Sequence, residues 1–313
     1  MLAFITGASS GIGREMVKVL AQKGYDLIIT ARDEEKLFEV RNEILGNFVF
    51  KKSDEDRSEG IKREINIKIL TADLTKEKEV LELYNKIKKE NIDVFINNAG
   101  FGTTGEFWKT DLETELDIVK VNDIAMHILF KLILKDMIES KRDKRINKHE
   151  ENETLFYEKN VRKTKNKYIK KEKYILNVAS LSGFMPGPKM SVYYASKAYM
   201  LNLTRGVYKE LKMAKENVNV SVLCPGPIYT NFADRAGVVF KTPNLSSEYT
   251  AKYAINNLFK KRLVIIPGFI NKCAHVLAKI IPSNIVAAVV YKIQENRKPN
   301  WSKKMLNIKF KNS

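Results

Sequence analysis

The first two dozen residues constrain the fold more than any other stretch. Residues 2–6 (LAFIT) form a short apolar run of strand type. Thr6, Gly7, Ala8, Ser9, Ser10, Gly11, Ile12 and Gly13 follow, then an amphipathic helical stretch, REMVKVLAQKG, ending at Gly24. The order is strand, glycine turn, helix. Glycines permit a tight turn and let backbone N–H groups approach a phosphate, and the helix N-terminus adds a partial positive charge. Such turns also occur with no ligand, so the rest of the chain must carry the argument.

Strand-like and helical runs alternate from there. A strand at Asp26–Thr30 precedes Ala31, Arg32 and Asp33 and a helix over 34–45. A strand at Asn66–Leu70 ends in Thr71, Ala72, Asp73 and Leu74, and a helix covers 76–90. The strand Asp93–Ile96 leads into Asn97, Asn98, Ala99 and Gly100, and two helical segments flank Asn122. A strand at Tyr174–Val178 breaks at Ser180 in a loop rich in Ser, Gly and Pro. A helix over 193–215 then carries Tyr193 and Lys197. These two lie one turn apart on one helix face. An ammonium beside a phenol favours the phenolate, so Lys197 is expected to lower the Tyr193 pKa. Ser180 lies where a loop brings its hydroxyl beside that phenol. Together the three can polarise a carbonyl and pass it a proton. Ser182 and Tyr194, their neighbours, read as structural. A strand at Val218–Leu223 delivers Cys224, Pro225, Gly226, Pro227, Ile228, Tyr229 and Thr230. A helix over 247–260 and a strand at Leu263–Pro267 follow.

Taken together, Thr-Gly-x-x-x-Gly-x-Gly at 6–13, Asn97-Asn98-Ala99-Gly100, Asn122, Ser180 and Tyr193-x-x-x-Lys197 resemble the short-chain dehydrogenase/reductase family. Pro225-Gly226 and Thr230 fit the same pattern. The resemblance runs from residue 3 to about residue 232, in the family's order. It implies an α/β fold, a doubly wound, mostly parallel, Rossmann-like sheet in a single domain. It also implies hydride transfer between a nicotinamide cofactor and a carbonyl or alcohol. By the same resemblance the catalytic residues are Ser180, Tyr193, Lys197 and Asn122. Lys197 also holds the nicotinamide ribose, and Asn122 kinks its helix and holds a relay water. The cofactor would be contacted by Gly7, Ser9, Ser10, Gly11, Ile12 and Gly13, by Asp73 and Leu74 at the adenine, and by Asn98, Ala99 and Gly100. Tyr193, Lys197, Pro225, Gly226, Ile228 and Thr230 complete the nicotinamide end.

The residue just past the second strand bears on which cofactor. An acidic side chain there would accept from a ribose 2′-OH and repel a 2′-phosphate. Arg32 is a phosphate partner instead, so NADP is preferred and NAD is the alternative. Asp33 beside it weighs the other way, and Arg32 also reads as a solvated helix start. Loops at 101–110, 184–191 and 231–246, with Phe101, Phe107, Phe184, Met185, Tyr229, Phe232 and Phe240, suit a hydrophobic carbonyl compound. The alternatives are a 3-oxoacyl thioester and a non-catalytic nucleotide-binding scaffold of the same fold.

The chain has 313 residues and a net charge of +18. The excess is local. Residues 141–173 hold thirteen Lys/Arg against six Asp/Glu, and residues 260–313 hold twelve against one. The catalytic domain is thus read as 1–267, with charged inserts at about 46–64 and 140–173, and 268–313 as a basic amphipathic extension. Both inserts feed strand N-terminal ends, away from the carboxyl ends where ligands bind, and read as solvated surface. Nothing in them matches a nucleic-acid reading motif. The extension is too broken for a spanning helix. It reads either as a membrane-surface anchor or as packing over the substrate lid or a subunit partner in a homo-oligomer. Two cysteines give no disulfide framework, and the three histidines make no metal site by spacing. The strand at residue 2 leaves no room for a leader, so a cytoplasmic protein, with contact at a membrane periphery, is expected.

Overall fold

The computed structural model describes residues 1–50, 65–154, 172–228 and 245–295. Seven strands form one sheet: β1 (Leu2–Thr6), β2 (Asp26–Ala31), β3 (Ile67–Thr71), β4 (Val94–Asn97), β5 (Lys173–Val178), β6 (Val218–Leu223) and β7 (Val264–Ile265). Their spatial order is β3-β2-β1-β4-β5-β6-β7, and every neighbouring pair is parallel. Parallel strands need crossovers. These are α1 (Gly11–Gln22), α2 (Glu34–Phe50), α3 (Glu77–Ile87), α4 (Leu112–Val119), α5 (Met126–Thr154), α6 (Ser191–Met213) and α7 (Ser247–Phe259). Two further helices, α8 (Phe269–Ile280) and α9 (Ser283–Glu295), follow β7.

Helices cover both sheet faces, so the central strands read as unbroken apolar runs rather than alternating ones. Ala3, Ile5, Leu27 and Ile29 face α1, α2 and α7. Phe4, Ile28 and Phe95 face α3, α5 and α6, and the Phe4 and Phe95 rings stack 5.3 Å apart. The winding reverses between β1 and β4. In open parallel sheets ligands enter the crevice at the carboxyl strand ends of that reversal. The glycine turn after β1 and the Asn98-Ala99-Gly100 segment after β4 sit at those ends.

Several boundaries differ from the sequence reading, three of them in ways that bear on the inserts and the catalytic helix. α2 continues through Gly46 to Phe50, so the first insert begins as helix. α5 is one helix from Met126 to Thr154, reaching well into the second insert. No Gly or Pro interrupts that stretch, and its Lys, Arg and Glu favour helix. The helix 193–215 instead spans Ser191–Met213. The remaining insert residues, 51–64 and 155–171, lie outside the described residues, as do 229–244 and 296–313.

Candidate active site

The glycine turn and the loop after β4 form one unit. Gly7 and Gly11 take positive φ values of 65° and 57°, where side chains are strained. A Cβ on Gly13 would sit 2.3 Å from the Gly7 carbonyl oxygen and 2.5 Å from Asn98 Nδ2. The Thr6 hydroxyl oxygen accepts from the backbone N–H groups of Asn98 (2.9 Å) and Ala99 (3.0 Å). Asn98 Nδ2 donates back to the carbonyls of Thr6 (3.0 Å) and Gly7 (3.2 Å). Ser10, at the N-cap of α1, makes no side-chain cap, and the first turn carries no acid. The N–H groups there are thus left for an incoming anion.

A cleft of about 590 Å³ runs along the strand ends. Because the sheet order is fixed, its lining follows that order. Asp73 and Leu74 come after β3 and Arg32 after β2. Gly7, Ser9, Ser10, Gly11 and Ile12 come after β1, and Asn98, Ala99 and Gly100 after β4. Ser180 comes after β5, with Tyr193 and Lys197 on α6, and Pro225, Gly226 and Ile228 come after β6. Gly13 and Asn122 lie behind the lining rather than in it. Thr230, and the loop aromatics Tyr229, Phe232 and Phe240, lie outside the described residues. Phe101 and Met185 line the cleft, whereas Phe107 is exposed and Phe184 packs on His275 and Arg205.

Arg32 stands exposed at the rim, close enough for its charge to help hold the Asp73 carboxyl below the usual range, together with bonds from Thr75 and against the effect of burial. Asp33 also lines the cleft; it accepts from the Lys36 backbone N–H (3.1 Å) and pairs with the Lys36 ammonium.

Ser180, Tyr193 and Lys197 converge. Ser180 caps a short 3₁₀ turn, Leu181–Phe184, by accepting from Ser182 N at 3.1 Å. Its hydroxyl lies 3.1 Å from Ser182 Oγ and 3.4 Å from the Pro225 carbonyl, and it lines the cleft beside the Tyr193 phenol, near enough to draw that pKa down. Tyr193 and Lys197 are both buried on the inner face of α6. Lys197 Nζ donates to the Val178 carbonyl at 3.1 Å and lies 5.7 Å from the Tyr193 ring centre.

The electrostatics correct one expectation. The Tyr193 pKa is pushed up, not down: burial penalises the phenolate, and the nearby Ser180 hydroxyl offsets only part of that. Burial also draws Lys197 down to about 8, against the opposing charge of Asp123. The ammonium is directed to Val178 rather than to the phenol oxygen, so desolvation outweighs its pull.

Asn122 sits in a π-helical turn, Lys120–Ala125, between α4 and α5. Its amide clamps Phe101, accepting from the backbone N–H (3.0 Å) and donating to the carbonyl (2.9 Å). Its second N–H goes to Ser196 Oγ at 3.0 Å. Both side-chain donors are therefore occupied by protein.

The sequence reading missed part of the lining. Ser182 and Tyr194, read as structural, both face the cleft. So do Ala274 of α8 and Val290 and Ile293 of α9. Gln294 of α9 donates to the Tyr194 hydroxyl at 3.2 Å, and the Tyr194 ring stands edge-on to Tyr193. Of the two readings of the extension, packing over the site describes this inner face. The apolar character of residues 268–295 was its only sequence signal.

The family model described as short chain dehydrogenase matches residues 1–147 and 163–237. An uncharacterized oxidoreductase of Staphylococcus saprophyticus is 28% identical over 231 residues, covering 73% of this chain and 79% of that one. A very-long-chain 3-oxoacyl-CoA reductase of Candida glabrata is also 28% identical, over 71% of this chain and 54% of its own length. Among solved structures, a short-chain dehydrogenase from Sphingobium yanoikuyae in complex with NADPH superposes with a TM-score of 0.67 at 23% identity, covering 90% of this chain and 96% of that one. One from Burkholderia phymatum in complex with NAD gives 0.69 at 19%, covering 96% of each. With the model spanning most of the sheet and its motifs meeting in one cleft, the chain belongs to the short-chain dehydrogenase family.

Proposed function

We propose that this protein is an NADPH-dependent reductase of a hydrophobic ketone. The observation that carries the proposal is the Ser180–Tyr193 hydroxyl pair inside a cleft that continues to an uncapped helix N-terminus. The residues fit a dinucleotide. The turn has no room for a Cβ at Gly13, and Gly100 has none beside Asn122 and Lys197. Bound there, a nicotinamide cofactor supplies the hydride. Gly11 and Ile12 N–H groups would meet the pyrophosphate, and Arg32 a 2′-phosphate, the Asp33 carboxylate beside it being paired with Lys36.

This chain's own chemistry is proton delivery. Burial keeps Tyr193 a protonated phenol at neutral pH, the form that reduction needs. Its O–H donates to the substrate oxygen as charge develops there, while Ser180 Oγ hydrogen-bonds the same oxygen. Lys197, still largely cationic at pH 7, stabilises the phenolate left behind. Asn122 holds Phe101 in the wall through both backbone groups. The apolar walls (Met185, Met190, Val290, Ile293) favour an apolar substrate. A 3-oxoacyl thioester is the second reading, favoured by the name of the Candida glabrata relative.

The test follows NADPH and NADH consumption against ketones, aldehydes and 3-oxoacyl thioesters. Wild type should consume NADPH with a hydrophobic ketone. Tyr193→Phe should lose nearly all turnover while still binding NADPH. Undiminished turnover in that variant refutes the assignment. A wild type that binds NADPH but reduces nothing on the panel supports the scaffold reading instead.

A further inference from the structure

Helices α8 and α9 are apolar on two sides. Their inner residues Ala274, Val290 and Ile293 close one end of the cleft. α9 is fastened by that side: Gln294 bonds Tyr194, Lys189 Nζ lies 4.7 Å over the Tyr291 ring, and Lys189 pairs with Glu295 at 3.9 Å. The outer side faces solvent. None of the side chains of α8 is buried, although Phe269, Ile270, Val276, Leu277 and Ile280 lie on it. Phe269, Ile270 and Ile280 are each more than 70% exposed, and Ile285 and Val289 of α9 extend the surface. The spacing 269/270, 276/277, 280 is that of one helical stripe, wider than a soluble surface normally leaves uncovered.

The charge beside this stripe selects its partner. α8 carries Lys272 and Lys279 and no acid, and α9 carries Lys292 and a single acid, Glu295, already paired. The sequence then continues with Arg297, Lys298, Lys303, Lys304, Lys309 and Lys311, with no acid among them. A second copy docked face to face would set cation against cation. An anionic lipid surface accepts both the apolar stripe and the lysines. No described helix is long and apolar enough to cross a membrane, so the pair would lie in the plane of the interface.

We infer that the outer face of α8 and α9 docks on an anionic membrane and sets the end of the cleft roofed by these helices against the lipid surface. An apolar substrate dissolved in the leaflet then reaches Tyr193 past Val290 and Ile293 without crossing bulk water. Only this last step rests on the proposed reductase activity.

The experiment sediments the full-length protein with phosphatidylcholine vesicles, with and without phosphatidylserine. Each lysine near an anionic surface contributes roughly a factor of five. Adding phosphatidylserine should therefore raise the bound fraction at least about tenfold, and salt should reverse it. The double variant Ile270→Glu/Ile280→Glu should lose that binding while keeping its melting temperature and NADPH affinity. Lys272→Glu/Lys279→Glu should lose only the phosphatidylserine-dependent part. Absence of wild-type binding to either vesicle overturns the inference. So does a lipid-free dimer, seen by light scattering, that Ile270→Glu/Ile280→Glu dissociates, because the face then joins two copies. Vesicle binding without NADPH-dependent reduction of any ketone, whether in solution or dissolved in the vesicles, leaves the docking surface standing and sinks the reductase reading.

Discussion

Replacing Gly13 by alanine tests whether the glycine turn is shaped by packing, and Gly206→Ala is its matched control. At Gly13 the added Cβ would meet a backbone oxygen at 2.3 Å, where ordinary contact begins at 3.4 Å. The Gly7 carbonyl and Asn98 must therefore retreat by about 1 Å. Overpacking of that kind costs about 1–3 kcal/mol. The retreat also stretches the Asn98 bonds to Thr6 and Gly7, each contributing about 0.5–1.5 kcal/mol. The sum is roughly 2–6 kcal/mol, a melting temperature lower by about 3–9 °C in a chain of this size. The same movement displaces the N–H groups of the turn, and each 1.4 kcal/mol lost there weakens dinucleotide binding about tenfold. Gly206, exposed in the middle of α6, has no heavy atom within 4 Å of its would-be Cβ. Alanine there should stabilise by up to about 1 kcal/mol and leave cofactor binding alone. Thermal melting and NADPH fluorescence titration read both variants. A Gly13→Ala protein that melts and binds like wild type would refute the packing argument. A Gly206→Ala protein as damaged as Gly13→Ala would show that the effect is not specific to the turn.

Asn122→Ala should destabilise by roughly 1–4 kcal/mol in urea titration, because it strands the half-buried Phe101 N–H and carbonyl, while Ser196 Oγ keeps its bond to the Tyr193 carbonyl. Asp123 is raised to about 6 by burial, with Lys197 opposing. Its folded pKa lies above the unfolded value, so the stability it contributes is full below about pH 4 and is lost as pH rises through 6. Asp123→Asn should therefore stabilise above pH 6 by about 1 kcal/mol, discounted because the group is only partly buried, and be neutral near pH 4. The same variant removes a charge that supports Lys197. If Lys197 must be cationic, reduction falls off above about pH 8 in wild type and at lower pH in Asp123→Asn, which a pH profile of kcat/KM reads. Arg32→Ala should raise the KM for NADPH about tenfold or more and leave NADH unchanged. Equal losses with both cofactors would remove Arg32 from the 2′-phosphate.

What was legible in the sequence is what short-range backbone chemistry writes there. A glycine that must take positive φ, a strand that must end before it, and two side chains four apart on one helix are local facts. Gly7, Gly11, Tyr193 and Lys197 stand where those facts put them. What was not legible depends on burial by distant segments. Nothing near Asn122 announces that its amide will hold the backbone of Phe101, 21 residues away. Nothing near Tyr194 announces Gln294, 100 residues on. The Tyr193–Lys197 pair shows the limit most sharply. Spacing correctly brings phenol and ammonium together, and Coulomb's law alone then predicts an acidic phenol. The fold buries both groups, and burial acts on each charge separately before either can help the other. It raises the phenol and lowers the amine, so the free protein holds the neutral acid and a weakened cation. Such a pair is poised to give a proton only when a negative charge appears beside it. On that argument the timing of proton transfer belongs to the developing alkoxide and not to a phenolate formed in advance.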